Sequence, residues 1–269
     1  MSTHKKLGYF DEKFDIKKPG ETKFRYIIFS SPRTGSNYIC SRLCNLKHAY
    51  GIPMEYFHPD ALEAFGKRFI STQSPSRKPF QWKLPDYMQH IERARTTADG
   101  WFGIKVLPRQ LLPAVGNNFN GVVKFLTRFD RIVFMTRRDK LAQAVSGAIA
   151  FKTDAWFNFS DEPKLGEADI PSLFPLIAKL IFKFIEEENM ILSAARHLTG
   201  KPCIHTIYED TQSDLDSTYQ AITEFLGIKN AATLPEEVIV QNTRKPSGVF
   251  AGRVRKEFLD FICGNPVRT

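Results

Sequence analysis

The chain has 269 residues, of which 42% are hydrophobic and 25% charged, a composition that is ordinary for a globular protein with a substantial core. Its net charge of +9 suits anionic ligands such as nucleotides, nucleic acids, and sulfated or phosphorylated substrates, although an excess of solvated lysines would give the same balance. No stretch reaches the ~18 apolar residues of a membrane span, and the polar N-terminal region lacks the apolar core of a signal peptide. We therefore expect no transmembrane segment.

The four cysteines, Cys40, Cys44, Cys203 and Cys263, lack the CxxC spacing of a zinc site. We expect them to be reduced and mostly buried, with no metal bound. Reduced cysteines indicate a cytoplasmic location.

Four short apolar runs predict strands that are buried on both faces of a parallel sheet, because they are nearly continuous rather than alternating. In chain order they are 24–30, 101–108, 131–136 and 203–210. Helix-length segments follow at 36–47, 139–151, 172–197 and 214–226, while 71–79 and 155–170 are irregular. Strands that alternate with helices predict an α/β fold, in which ligands sit at the carboxyl ends of the strands.

The stretch "FSSPRTGSNYI" at residues 29–39 joins the first predicted strand to a helix through a turn of small residues with one cation. A helix N-terminus binds anions, a glycine lets the backbone approach a ligand, and an arginine can donate two hydrogen bonds to phosphate oxygens. A well-capped helix that follows a turn would show the same pattern of residues. The candidate phosphate-binding residues are Arg33, Thr34, Gly35, Ser36 and Asn37.

The nucleoside-triphosphate pattern GxxxxGK[ST] is absent, because no glycine stands five residues before Gly35 and Ser36 occupies the position of the lysine. A kinase is therefore disfavoured, and a metal-free phosphate compound is preferred.

A second anion site is predicted where the third strand meets its helix. Arg137 and Arg138 stand at the strand end, and Ser146 follows on the helix. Taken alone, the two arginines could equally be surface charges, and Ser146 could be a small packing residue. Beside the first loop, they suit a ligand with two separated phosphates.

Four motifs together resemble the sulfotransferases that use 3′-phosphoadenosine 5′-phosphosulfate (PAPS), and the bacterial trehalose 2-sulfotransferase branch in particular. They are "SSPRTGSNYICSRL", "GIPMEYFHPD", "FGIKVLPRQLLP" and "MTRRDKLAQAVSGAIAFKTDAW". The resemblance covers residues 25–60 and 101–156 well and continues loosely to about residue 256. It implies a central parallel sheet flanked by helices, in a P-loop-like sulfotransferase fold. It also implies a single domain over 1–269, with 1–22 as an N-terminal extension.

The resemblance assigns the first loop to the 5′-phosphosulfate and the second to the 3′-phosphate of the donor. Arg33 stands where animal cytosolic relatives carry lysine. The bacterial branch also carries arginine at this position. Ser146 maps clearly to the 3′ site. Alignment on the strand end favours Arg137 as its arginine, whereas the usual spacing of eight residues to the serine favours Arg138. A basic C-terminal segment often closes over the 3′-phosphate in this family, which points to Arg253.

Catalysis needs a base for the acceptor hydroxyl, and "PMEYFHPD" supplies two candidates. Glu55 matches the glutamate base of the trehalose branch, and His58 is the alternate, since other branches use histidine. Because Glu55 is flanked by apolar rings, we expect its pKa to be raised. Lys105, a lysine inside an apolar strand, should meet an anion, here the sulfuryl or bridging oxygen.

The sequence therefore predicts a sulfotransferase that moves a sulfuryl group from PAPS to a carbohydrate or glycolipid hydroxyl. Two alternatives stay open: a nucleotide or sugar kinase on a related fold, and a basic nucleic-acid-binding module. Because the basic residues are scattered apart from the strand ends, nucleic acid is not expected as a partner. Homodimerisation is suggested by the trehalose branch alone.

Overall fold

The computed structural model describes residues 10–46, 49–70, 83–153, 165–229 and 248–264. Its strands are β1 (Phe24–Ser30), β2 (Trp101–Val106), β3 (Arg131–Thr136) and β4 (Cys203–Ile207). They form one sheet in the order β2-β1-β3-β4, and every neighbouring pair is parallel. The expected α/β architecture, a central parallel sheet flanked by helices, is confirmed.

The helices include four that the periodicity predicted and several that it did not. They are α1 (Ser36–Cys44), α2 (Pro59–Ile70), α3 (Leu84–Arg95), α4 (Pro108–Leu111), α5 (Phe119–Leu126), α6 (Lys140–Thr153), α7 (Ile170–His197), α8 (Tyr208–Thr211), α9 (Leu215–Leu226) and α10 (Gly248–Ile262). The strand predicted over 203–210 ends at Ile207, because α8 begins directly after it. The segment 71–79 and most of 155–170 lie outside the described residues.

The central strand β1 is buried on both faces, as its continuous apolar sequence predicts. Ile27 and Phe29 pack with residues of α2, α3 and α5. Tyr26 and Ile28 point to the other face and pack with α1 and α9. Alternate residues of a strand face opposite sides of a sheet, so this one strand anchors both layers of helices.

Helices α6 and α7 pack closely and share a third apolar cluster with α10. A Cβ atom at Gly147 would lie 3.2 Å from side-chain atoms of Leu180 and Phe184, so α6 approaches α7 at a residue without a side chain. This packing fixes the side of α6 that faces the end of β1.

The strand β4 is one of the two edge strands of the described sheet and is only partly buried. Cys203 on β4 and Cys263 after α10 are exposed, whereas Cys40 and Cys44 are buried, and all four are free thiols. The prediction that most cysteines are buried is therefore wrong for half of them. Among the described helices, none has the length and apolar character needed to cross a bilayer.

Candidate active site

The loop between β1 and α1 contains two residues in the left-handed region. Gly35 has φ 81° and Arg33 has φ 61°, a conformation that is uncommon for any residue except glycine. Thr34 Oγ1 donates to the Ser31 carbonyl oxygen at 2.9 Å and tightens the turn. A backbone of this kind persists only where its surroundings hold it, which is typical of ligand-binding loops.

Gln143 of α6 holds this loop from the interior. Its Nε2 donates to Ser31 Oγ at 2.9 Å and to the Pro32 carbonyl oxygen at 2.7 Å, and its side chain is fully buried. The N-cap of α1 is Gly35, which has no side chain to satisfy the first N–H groups of the helix. The loop therefore presents the positive end of α1 toward the carboxyl ends of the strands.

The two predicted anion sites meet at Arg33. Its Nε donates to Ser146 Oγ at 2.9 Å, while Arg137 donates from Nη1 to the Arg33 carbonyl oxygen at 3.2 Å. The Arg137 guanidinium lies 4.3 Å from the centre of the Tyr208 ring, and its Nε lies 3.4 Å from a Glu209 carboxylate oxygen. Residues from β1, β3, α6 and α8 thus converge on one place.

Arg33 and Arg137 place two cations side by side. Burial and the neighbouring Arg137 charge both lower the pKa of Arg33, although a guanidinium stays protonated in proteins. Within the described ranges, Arg33 has no ion-pair partner. An anion at this point would relieve the repulsion between the two guanidinium groups.

Arg138 points away from this cluster. Its side chain is 55% exposed and pairs with Asp210 through both terminal nitrogens, one of them at 2.8 Å. Of the two arginines between which the sequence leaves a choice, the structure brings Arg137 to the loop and holds Arg138 at the surface.

A buried ion pair lies beside the loop. Residues near Met54 run alongside β2, with a parallel bridge between Met54 and Ile104 and a hydrogen bond of 3.0 Å from Lys105 N to the Met54 carbonyl oxygen. This pairing places Glu55 next to the Lys105 side chain, and Lys105 Nζ lies 2.6 Å from Glu55 Oε1. The same ammonium group also donates to Asn37 Oδ1 of α1. The Glu55–Lys105 pair therefore connects the end of β2 to the loop between β1 and α1.

The expectation that the pKa of Glu55 is raised is wrong. Burial does act in that direction, but the Lys105 charge and the hydrogen bonds from Lys105 and Gln110 outweigh it and lower the pKa to about 2. Gln110 of α4 donates from Nε2 to the other carboxylate oxygen at 2.7 Å. Glu55 is thus an ionised carboxylate held at both oxygens.

Comparison with known families decides what kind of protein this is. The sequence model described as Stf0 sulphotransferase matches residues 25–172, which is more than half of the chain. The chain belongs to the Stf0 sulfotransferase family. The matched range contains every site residue considered above except those after residue 172.

Solved structures of sulfotransferases resemble this member of the Stf0 family at low identity. A sulfotransferase from Alicyclobacillus acidocaldarius is 12% identical with a TM-score of 0.45, over 91% of this chain and 97% of that one. The mouse sulfotransferase SULT7A1 complexed with PAP is 13% identical with a TM-score of 0.39, over 96% and 69%. The sulfotransferase domain of the Synechococcus PCC 7002 olefin synthase is 15% identical with a TM-score of 0.42, over 91% and 98%. No curated protein matches the chain.

Two other predicted site residues remain. His58 lies near Glu55, because its backbone N–H donates to the Glu55 carbonyl oxygen at 3.0 Å and its charge helps to lower the pKa of Glu55. Its side chain is 34% exposed, and Nδ1 accepts from the Asp60 N–H at 3.3 Å. Arg253 is 47% exposed on α10 and pairs with Glu167 and with Glu257. Arg255 instead reaches the start of α6, where it donates to Asp139. The remainder of the basic segment before residue 248 lies outside the described residues.

Sequence reasoning missed three residues of the site: Gln143, Tyr208 and Gln110. Tyr208 immediately follows β4, so the rule that sites form at the carboxyl ends of parallel strands would have found it. Gln143 and Gln110 carry no comparable signal, because a glutamine in a helix reads as a surface residue until its partners are known.

Proposed function

We propose that this sulfotransferase moves a sulfuryl group from PAPS to a hydroxyl group of a carbohydrate, with Glu55 as the general base. The observation that carries the proposal is the Glu55–Lys105 pair, which stands between the strained loop of Arg33 and the polar side chains of α4. An ionised carboxylate that Lys105 neutralises therefore lies next to a loop suited to hold an anion.

The residues present fit the donor that the family resemblance implies. The positive end of α1 and the Arg33–Arg137 pair supply cationic groups for two phosphates, and Ser146 supplies a hydroxyl beside Arg33. When bound, PAPS would provide a sulfuryl group on a phosphate leaving group. The chain's own contribution is to bind that anion, orient it and stabilise the charge that develops on it.

Lys105 is the residue through which binding of the donor would change the basicity of Glu55. In the structure it neutralises Glu55 and holds its pKa at about 2, which makes the carboxylate ionised but weakly basic. If Lys105 turns toward an anion in the loop, as its contact with Asn37 of α1 favours, Glu55 loses its cation. Burial then raises the basicity of Glu55 toward the range useful for proton transfer.

Gln110 keeps the carboxylate in place during that change. It holds the second oxygen of Glu55 at 2.7 Å and lies on α4, directly after β2. The Glu55 oxygen nearer to Lys105 is then the one that accepts a proton from the acceptor hydroxyl.

Transfer from radiolabelled PAPS to a panel of free saccharides tests the proposal. Glu55→Gln keeps the shape of the side chain but removes the base, so we expect kcat to fall by about 100-fold or more, with the affinity for the desulfated product PAP nearly unchanged. Glu63→Gln is the matched control, because Glu63 is an exposed carboxylate on α2 that pairs with Lys67.

His58→Gln separates the two candidate bases. We expect it to change kcat by less than about threefold, since His58 contacts Asp60 and is partly exposed. Activity that survives Glu55→Gln but is lost in His58→Gln would make His58 the base and refute the role given to Glu55.

A further inference from the structure

The turn between β3 and α6 has three consecutive backbone N–H groups, and each donates to a carboxylate of another element. Arg138 N donates to Glu209 Oε2 at 2.8 Å, and Asp139 N donates to Glu209 Oε1 at 3.2 Å. Arg137 N donates to Glu188 Oε2 of α7 at 3.3 Å. Successive N–H groups in a turn can form a concavity that binds anions, and here protein carboxylates occupy it. A phosphate at this turn therefore depends on side chains, above all on that of Arg137.

Glu209 also contacts the side chain of Arg137. Its Oε1 lies 3.4 Å from Arg137 Nε, and the centre of the ring of Tyr208, the residue before it, lies 4.3 Å from the guanidinium carbon. At the other end of the group, Nη1 donates to the Arg33 carbonyl oxygen at 3.2 Å. The guanidinium is thus contacted at both ends and on one face. A long side chain that is already ordered loses less entropy when its ligand binds.

The Glu209 carboxylate is ionised and partly shielded, with its side chain 20% exposed. Burial acts to raise its pKa, but hydrogen bonds from the backbone N–H groups of Arg138, Glu209 and Asp139, together with the Arg137 charge, lower the pKa of Glu209. A negative charge therefore stands beside Arg137 and offsets the repulsion between its guanidinium and that of Arg33. Loss of that charge would favour rotation of the Arg137 side chain away from Arg33.

We propose that Glu209 is a positioning residue for the sulfuryl donor, which fixes the turn after β3 and holds the Arg137 guanidinium beside the Arg33 loop before the donor binds. This inference rests on the proposed function, because the anion in question is a phosphate group of PAPS. Glu209 acts through Arg137 and takes no part in transfer of the sulfuryl group. Its carboxylate therefore aids the binding of an anion, although the two negative charges repel each other.

Two other roles for Glu209 predict different results. If its charge only repels the donor, removal of that charge strengthens donor binding. If its hydrogen bonds only stabilise the turn, their loss lowers the free energy of unfolding and leaves the affinity of the folded protein unchanged. Positioning predicts weaker donor binding, and only in a protein that still contains Arg137.

Calorimetric titration with PAP separates these roles in wild type, Glu209→Gln, Arg137→Ala and the double variant. We expect Glu209→Gln to weaken PAP binding by about fivefold or more when Arg137 is present, and by less than about twofold in the Arg137→Ala background. Asp210→Asn is the matched control, because Asp210 is the next carboxylate in sequence and pairs with Arg138 at the surface, at 2.8 Å. It removes the same charge and should change the affinity by less than about twofold.

Glu209→Asp decides the question if Glu209→Gln does not fold. It keeps the negative charge on a shorter side chain, so positioning predicts weaker PAP binding, whereas an effect of charge alone predicts the wild-type affinity. In that case, wild-type affinity of Glu209→Asp would overturn the inference.

Three results with Glu209→Gln would overturn the inference while the donor site stays intact. They are tighter PAP binding, unchanged affinity, and an equal loss of affinity with and without Arg137. Absence of PAP binding by the wild type would instead refute the proposed function on which the inference rests.

Discussion

Replacement of Lys105 by methionine probes the ion pair on which the proposed mechanism depends. The change keeps a long apolar stem but removes the ammonium group from beside Glu55, whose side chain is only 14% exposed. A carboxylate in that position loses its cation and keeps its desolvation cost. The variant therefore converts a stabilising charge into a destabilising one.

The pKa of Glu55 gives the magnitude. It is lowered from 4.5 to about 2, and at ~1.36 kcal/mol per pKa unit this corresponds to about 3 kcal/mol in favour of the folded state. Because the native pKa is the lower one, this stabilisation is complete above pH 4.5 and is lost as the pH falls toward 2. Without Lys105, burial raises the pKa above its ordinary value, so the variant should be destabilised at pH 7 and should partly recover as the pH is lowered.

Urea denaturation at pH 7 and at pH 5 measures the effect in wild type, Lys105→Met, Glu55→Gln and the double variant. We expect Lys105→Met to lose about 3–5 kcal/mol of unfolding free energy at pH 7. The double variant should lose less than the sum of the single losses, because it leaves neither charge unpaired. A Lys105→Met protein as stable as wild type at pH 7, or strictly additive losses, would refute the reasoning.

Three further predictions concern the donor cluster, the sheet and helix α10. Arg137→Ala should weaken PAP binding by about tenfold or more in a calorimetric titration, whereas Arg138→Ala, at the surface with Asp210, should change it by less than about threefold; the opposite order would exchange their roles. Gly103→Ala should destabilise the fold by about 1–3 kcal/mol in thermal unfolding, because its Cβ would lie 2.2 Å from the Tyr26 ring. Gly252→Ala, inside α10 with nothing within 4 Å of the new Cβ, should stabilise it by up to about 1 kcal/mol, and a destabilised Gly252→Ala would contradict this account.

The strands of the sheet were predictable because each is a short, continuous apolar run. β1 and β3 have the bounds expected from the sequence, and β2 and β4 differ only at their ends. The helix α3 escaped prediction because its sequence is largely polar and only Tyr87, Met88 and Ile91 are large apolar residues buried in it. Its place on the sheet depends on contacts distant in sequence.

The loop of the candidate site was predictable from residue types alone, since a glycine, hydroxyls and an arginine between strand and helix have a direct physical meaning. The direction of the pKa shift of Glu55 could not be predicted in this way. Its apolar neighbours in sequence indicate a raised pKa, but the bridge between Met54 and Ile104 brings Lys105 next to it. This contact between residues 50 positions apart lowers the pKa of Glu55 instead of raising it, and no local sequence pattern contains that information.

A calorimetric titration of the wild type and of Arg33→Ala with PAP, without metal, tests the donor site most directly. We expect saturable binding by the wild type with a Kd in the micromolar range or tighter, and a loss of about tenfold or more in Arg33→Ala. No heat of binding at high protein concentration, or equal affinity in the two proteins, would contradict the assignment of the Arg33 loop to the sulfuryl donor.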